Sequence, residues 1–215
     1  MVNSGTHPET RATGKAVRTR QALVAATLEV VAETGEFTGE QVAARTGVST
    51  ATFYAHFETK DHAVHACLQR AFEDYRLRMQ EVESIERLLD VGLRETMTAI
   101  VRTITAINDE YRSLLRLARA RVRASPLLRE QSRVEERRAF AASLRLVVLG
   151  QAAGMIRRAD PEVLTATVRT LVEGLDAWTV RSHPAVAETE IPELLTTYLS
   201  PTPTLYPTPI TTEHP

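Results

Sequence analysis

The sequence predicts an all-α fold, and three observations carry that expectation. Apolar residues recur at spacings of three and four along most of the chain, the period of one helix face. No segment alternates apolar and polar residues as a half-buried strand does. Helix start and stop signals punctuate the periodic stretches at ordinary helical lengths. With 215 residues, 43% of them apolar, the chain can bury a sizeable core.

Taken in order, residues 1–14 hold Gly, Pro, Thr and Ser without apolar period and are expected to form a disordered basic arm. A first helix is expected over 15–34, with Leu23, Ala26, Val30 and Val31 on one stripe and Gly35 as its stop. Thr38 and Gln41 have the spacing of a capping box and start a short second helix that Gly47 ends. Ser49 caps a third helix over 50–57, and Thr59 a fourth that starts near Lys60. Leu89, Leu93, Met97, Ile100, Ile104 and Ile107 then mark one long amphipathic helix over 85–107. Another over 111–124 uses Leu114, Leu115, Ala118 and Val122. Ser125-Pro126 and Asp160-Pro161 each place a cap before a proline at the first helical position, which starts helices over 127–157 and 161–182. A short helix over 192–199 precedes a proline-rich tail, 200–215, in which no helix can persist.

Composition excludes several function classes. No run approaches the ~20 apolar residues that a membrane span requires, and no secretory leader pattern opens the sequence. Cys67 is the single cysteine, so no internal disulfide forms, which agrees with a reducing cytoplasm. A net charge of -1 argues against a chain that coats nucleic acid along its length. The charge is uneven, however: Arg11, Lys15, Arg18 and Arg20 cluster without acidic neighbours. The arginines over 112–145 read as solvated helix faces paired with Glu130, Glu135 and Glu136.

The stretch "GVSTATFYAHFETK" over 47–60 carries the most chemistry. Two short helices joined around a glycine make a helix-turn-helix. By helical period, Phe53 and Phe57 point inward together with Val48, Val42 and Ala43. Thr50, Ala51 and Ala55 lie opposite, small enough to let the helix axis approach a groove closely. Thr52, Tyr54 and His56 stand at the edges, where hydroxyl and imidazole groups can meet phosphate oxygens. Lys60 opens the next helix, whose N-terminal amides favour an anion. A major groove about 12 Å wide admits such a helix.

"GEQVAARTGVSTATFYAHFETKDHAV", with the preceding "RQALVAATLEVVAETG", resembles the DNA-binding segment of the tetracycline-repressor (TetR) family of bacterial transcription regulators. Val42-Ala43, Gly47-Val48-Ser49, Tyr54, His56, Phe57 and Lys60 carry the likeness, over roughly the first quarter of the chain. The resemblance implies a three-helix DNA-binding domain over 15–58 and a helical ligand-binding and dimerisation domain over 59–199. It implies phosphate contacts from Thr38, Thr52, Tyr54, His56 and Lys60, with Thr50, Ala51 and Glu40 facing bases and Ser49 heading the reading helix. Arg18 and its basic neighbours would add salt-sensitive backbone contacts. Three departures stand out: a short link between the first two helices, Gly39 where a hydroxyl residue is frequent, and Ala63 where a bulkier aliphatic is usual.

The resemblance further implies a ligand-responsive repressor, built as a homodimer through the helices over 127–157 and 161–182, on a pseudo-palindromic double-stranded DNA operator. A small, largely apolar effector would enter a cavity lined by Met97, Ile100, Ile104, Tyr111 and Met155. Trp178 either lines that cavity or packs between subunits. The alternative is a helical small-molecule-binding protein that does not act through DNA. No catalytic set is found: Ser, His and Asp are scattered without motif, and no glycine-rich phosphate loop follows a strand. No cofactor is expected, and no metal either, because Cys67 falls on the far side from His62 or His65 and no carboxylate completes a set.

Overall fold

The computed structural model describes residues 8–176, 180 and 182–201, and each regular element among them is helical. In chain order these are α1 (Pro8–Thr34), α2 (Gly39–Thr46), α3 (Thr50–His56), α4 (Lys60–Val82), α5 (Ile85–Glu110), α6 (Arg112–Val122), α7 (Pro126–Ala152), α8 (Pro161–Glu173) and α9 (Ile191–Leu199). A 3₁₀ turn, Gly174–Asp176, follows α8, and a π turn, Val186–Glu190, precedes α9. No helix among the described residues is long and apolar enough to cross a membrane. The proline-rich tail beyond Pro201 and Trp178 lie outside the described residues.

The chain divides into two compact units, residues 1–81 with 102–139, and residues 82–101 with 140–215. In the first, Leu23, Ala26, Val30 and Val31 of α1 are buried as their stripe requires. They share one core with Val42, Phe53, Phe57, Ala63 and Leu68, and with Leu114, Leu117 and Leu128 from α6 and α7. Packing therefore runs on past residue 58, where the sequence places a domain boundary. Cys67 lies in this core with no exposed surface, and burial pushes its thiol up to about 12. α1 starts earlier than expected: Pro8–Gly14, assigned to the arm, are its first turns, with proline at the first helical position.

In the second unit the long amphipathic helix expected over 85–107 is interrupted. Gly92, at φ 81 and ψ 173, breaks α5 into two helical pieces. The Thr96 hydroxyl, fully buried, donates to the Gly92 carbonyl at 2.8 Å and holds the break. The change of phase turns Leu89 outward, 59% exposed, and puts Leu88 in the core at 0%. Beyond the break the expected stripe holds, with Leu93, Met97 and Ile100 buried in this unit and Ile104 and Ile107 buried in the first.

α7 ends at Ala152 rather than near residue 157, since Gly154 (φ 73) reverses the chain and Met155 and Ile156 both donate to the Gly150 carbonyl. The return is close: a Cβ on Gly150 would lie 2.6 Å from Ile156 Cδ1. α8 is headed as expected by Asp160, whose carboxylate accepts from the Glu162 and Val163 amides. α8 itself ends at Glu173 and passes into the 3₁₀ turn; of the remaining stretch to 182 that the sequence makes helical, residues 177–179 and 181 lie outside the described residues. Arg157 then ties down α9, donating through Nε to the Tyr198 carbonyl at 2.7 Å while its guanidinium lies over the Tyr198 ring.

Candidate nucleic-acid interface

α2 starts on the capping box that the sequence spells out. Thr38 Oγ1 accepts from the Gln41 amide at 3.2 Å, and Gln41 Oε1 accepts from the Thr38 amide at 2.7 Å. It stops at Gly47, which takes the left-handed conformation (φ 69, ψ 22), so its amide and that of Val48 can return to the Ala43 carbonyl. Two residues later Ser49 caps α3, its hydroxyl accepting from the Thr52 amide at 3.1 Å and lying 2.9 Å from the Thr52 hydroxyl. The turn between α2 and α3 is therefore held at both ends by local bonds.

α3 buries one side and bares the other. Phe53 and Phe57 are 0% and 1% exposed, with ring centroids 5.4 Å apart. Ala51, Tyr54 and Ala55 are exposed, while Thr50, Thr52 and His56 are half-buried along the flanks. The Tyr54 ring stands edge-on to Phe53 at 5.2 Å, and its side chain is partly bare, at 44% exposure. Thr38, Glu40, Ser49 and Arg18 are exposed as well.

Gly39 explains one departure from the family pattern. A Cβ there would lie 3.0 Å from Phe53 Cδ1 and 3.1 Å from Tyr54 Cε2 and Cζ. The two rings fill the space that a serine or threonine would need, so the first residue of α2 is a buried glycine.

Lys60, half-buried at the start of α4, places its ammonium 5.7 Å from the centroid of the Phe37 ring. Phe37 is itself 2% exposed and meets Phe53 edge-on at 6.4 Å. Sequence reasoning missed it: a lone aromatic between a glycine stop and a capping box belongs to no periodic stripe, although its place directly before the cap is a staple signal. Arg20 adds a second such contact, its guanidinium 5.0 Å over the Phe57 ring. Glu40 folds back on its own helix. Its carboxyl is held below the ordinary 4.5 first by its own backbone N–H and then by the Thr38 hydroxyl, against desolvation, with a smaller pull from Lys60.

Met97 and Ile100 are buried and Met155 half-buried in the second unit, whereas Ile104 is buried and Tyr111 half-buried in the first. Tyr111 directs its hydroxyl to Asp74 at 3.4 Å. Among the described residues no group of three or more His, Cys, Asp or Glu side chains could hold a metal ion. The arginines of α7 pair largely as expected, Arg133 and Arg137 with Glu130 and Arg138 with Glu135.

Residues 23–67 match the family described as bacterial regulatory proteins, tetR family. No curated protein matches the chain. Among solved structures, the fold is similar to a TetR transcription regulator from Haloarcula marismortui, with a TM-score of 0.70 and 17% identity over 85% of this chain and 97% of that one. A transcriptional regulator from Saccharomonospora viridis, solved in complex with choline, gives a TM-score of 0.69 and 17% identity over 85% and 95%. The SmeT–triclosan complex gives 0.66 and 18% over 92% and 98%.

Proposed function

We propose that this chain, whose residues 23–67 match the tetR family of bacterial regulatory proteins, is a ligand-responsive repressor acting as a homodimer on a pseudo-palindromic DNA operator. The observation that carries the DNA-binding part is the division of α3. Phe53 and Phe57 anchor it in the core while Ala51, Tyr54 and Ala55 stand bare beside a capped turn. Small side chains on the bare side let the helix axis come close to base edges, with Thr50 and Ala51 as the readers. Thr52, Tyr54, His56 and Lys60 flank that surface and contact phosphates, which positions the duplex without reading it. Thr38 and Arg18 extend the backbone contacts, Ser49 sets the start of the reading helix, and Glu40 faces the bases.

The response to a small, largely apolar effector rests on a different observation. Beyond the Gly92 break α5 buries Met97 and Ile100, apolar side chains outside the DNA-reading helices. Similar folds solved with choline and with triclosan support the same reading. An effector releases the operator only by preferring the state in which the two heads no longer match the two half-sites.

The test is binding of the full chain to short duplexes tiling the DNA upstream of its own gene. Lys60→Ala and Tyr54→Phe weaken binding roughly equally across sequences, and Lys60→Ala lowers the salt slope by about 1. Thr50→Val instead shifts preference between duplexes. An unchanged salt slope in Lys60→Ala would remove Lys60 from the interface.

A further inference from the structure

Asp61 follows Lys60 in the first turn of α4. Its Oδ1 accepts from Arg121 Nε, in the last turn of α6, at 2.6 Å. The same carboxylate takes the hydroxyl of Ser125, a residue 4% exposed that heads α7 and accepts from the Leu128 amide at 3.5 Å. Burial pushes Asp61 up, but the bonds from Arg121 and Ser125 outweigh it and hold the carboxyl below the ordinary 3.8. One carboxylate thus joins the starts of α4 and α7 to the end of α6.

The pair is better shielded than the surface pairs of α7. The Arg121 and Asp61 side chains are 33% and 28% exposed, against 67% and 61% for Arg137 and Glu130. Solvent and salt therefore screen it less, and its geometry is fixed by a second bond to a buried hydroxyl. About one helical turn further along α4, Gln131 Nε2 donates to the His65 carbonyl at 3.1 Å. α7 accordingly grips the first two turns of α4 at two points, which fixes both the rotation and the height of that end. Lys60 is the residue whose placement depends on it.

We infer that Asp61 and Arg121 are positioning residues for Lys60, holding the first turn of α4 so that its ammonium meets a duplex phosphate. This rests on the DNA-binding reading above. The pair touches no phosphate itself, and its effect on binding passes through Lys60.

Removing either charge alone would alter the field around the duplex, so the test removes both. Asp61→Asn with Arg121→Gln leaves the net charge unchanged and deletes the pair. The full-length wild type, this double variant, Lys60→Ala and the triple variant are titrated by fluorescence anisotropy with the upstream duplexes at several salt concentrations. Circular dichroism establishes the folded fraction at the assay temperature. The double variant should bind roughly 3- to 10-fold more weakly than wild type, the scale of coupling between linked residues. In the Lys60→Ala background the same change should cost nothing further. Arg121→Lys, which keeps the charge but not the planar donor, should give an intermediate loss and covers the case in which the double variant does not fold. Unchanged affinity in the folded variants, or an equal loss with and without Lys60, overturns the inference while leaving DNA binding intact. If wild type binds no duplex, the DNA-binding reading fails and takes the inference with it; if Lys60→Ala binds as wild type does, Lys60 leaves the interface and the inference falls while DNA binding stands.

Discussion

Gly39, Tyr54 and Phe53 form a contact in which the loss of one hydrogen's worth of space has a measurable outcome. Phe53 is enclosed and Tyr54 is not, so a methyl on Gly39 displaces the tyrosine ring. Gly39→Ala should cost about 1 kcal/mol of stability, as mild overpacking does. It should also weaken duplex binding at least as much as Tyr54→Phe, and equal binding would show that the ring is not a contact. Glu83 offers a residue-scale test of electrostatics. Burial raises its carboxyl above the ordinary 4.5, and the Ser143 hydroxyl at 2.6 Å and the charge of Arg169 only partly offset that. The folded state therefore binds its proton more tightly than the unfolded chain. Stability falls as pH rises from the unfolded value through the folded one. Glu83→Gln, whose amide oxygen still accepts from Ser143, should be more stable than wild type at neutral pH, with the gain vanishing below pH 4.5 in urea melts. At this scale the sequence shows which residues face out, because α3 has a clear period. It does not show that Glu40 folds back, since that depends on where Lys60 and Thr38 lie in space.

The helices were legible where local chemistry decides them. Thr38, Ser49 and Asp160 cap the elements that their spacing foretells, because a side-chain oxygen three residues from an amide needs no tertiary help. The break in α5 was hidden for a physical reason. An unbroken helical period selects Leu89, four residues before Leu93, and leaves Leu88 off the stripe. Only the positive φ of Gly92 selects Leu88. That conformation is one in which a side chain is strained, and Gly92→Ala should lower the unfolding free energy by about 1–3 kcal/mol. Urea denaturation with an unchanged m-value would register it, and a neutral result would argue for a continuous helix. The end of α7 escaped notice similarly, because apolar residues continue the period past Gly150 and Gly154 while the chain has already reversed.

At the scale of the molecule, the core that holds α3 draws on residues far along the chain. Leu114, Leu117 and Leu128 pack in the same cluster as Phe53, Cys67 and Leu68. Composition and period cannot disclose this, since they describe each helix alone and not its partner. A fragment of residues 1–81 keeps the whole reading head yet lacks that wall. It should melt at a lower temperature and less cooperatively than the full chain by circular dichroism, and a full-chain melting profile in the fragment would refute the shared core. The position of Cys67 has a practical consequence of its own. It is the chain's only cysteine, enclosed and kept as the unreactive thiol by a value of about 12. Alkylating reagents can reach it only when the surrounding helices part, so its labelling rate is a built-in clock for how often this half of the protein opens. The same inertness leaves native molecules free to carry a single engineered dye or spin probe elsewhere without background.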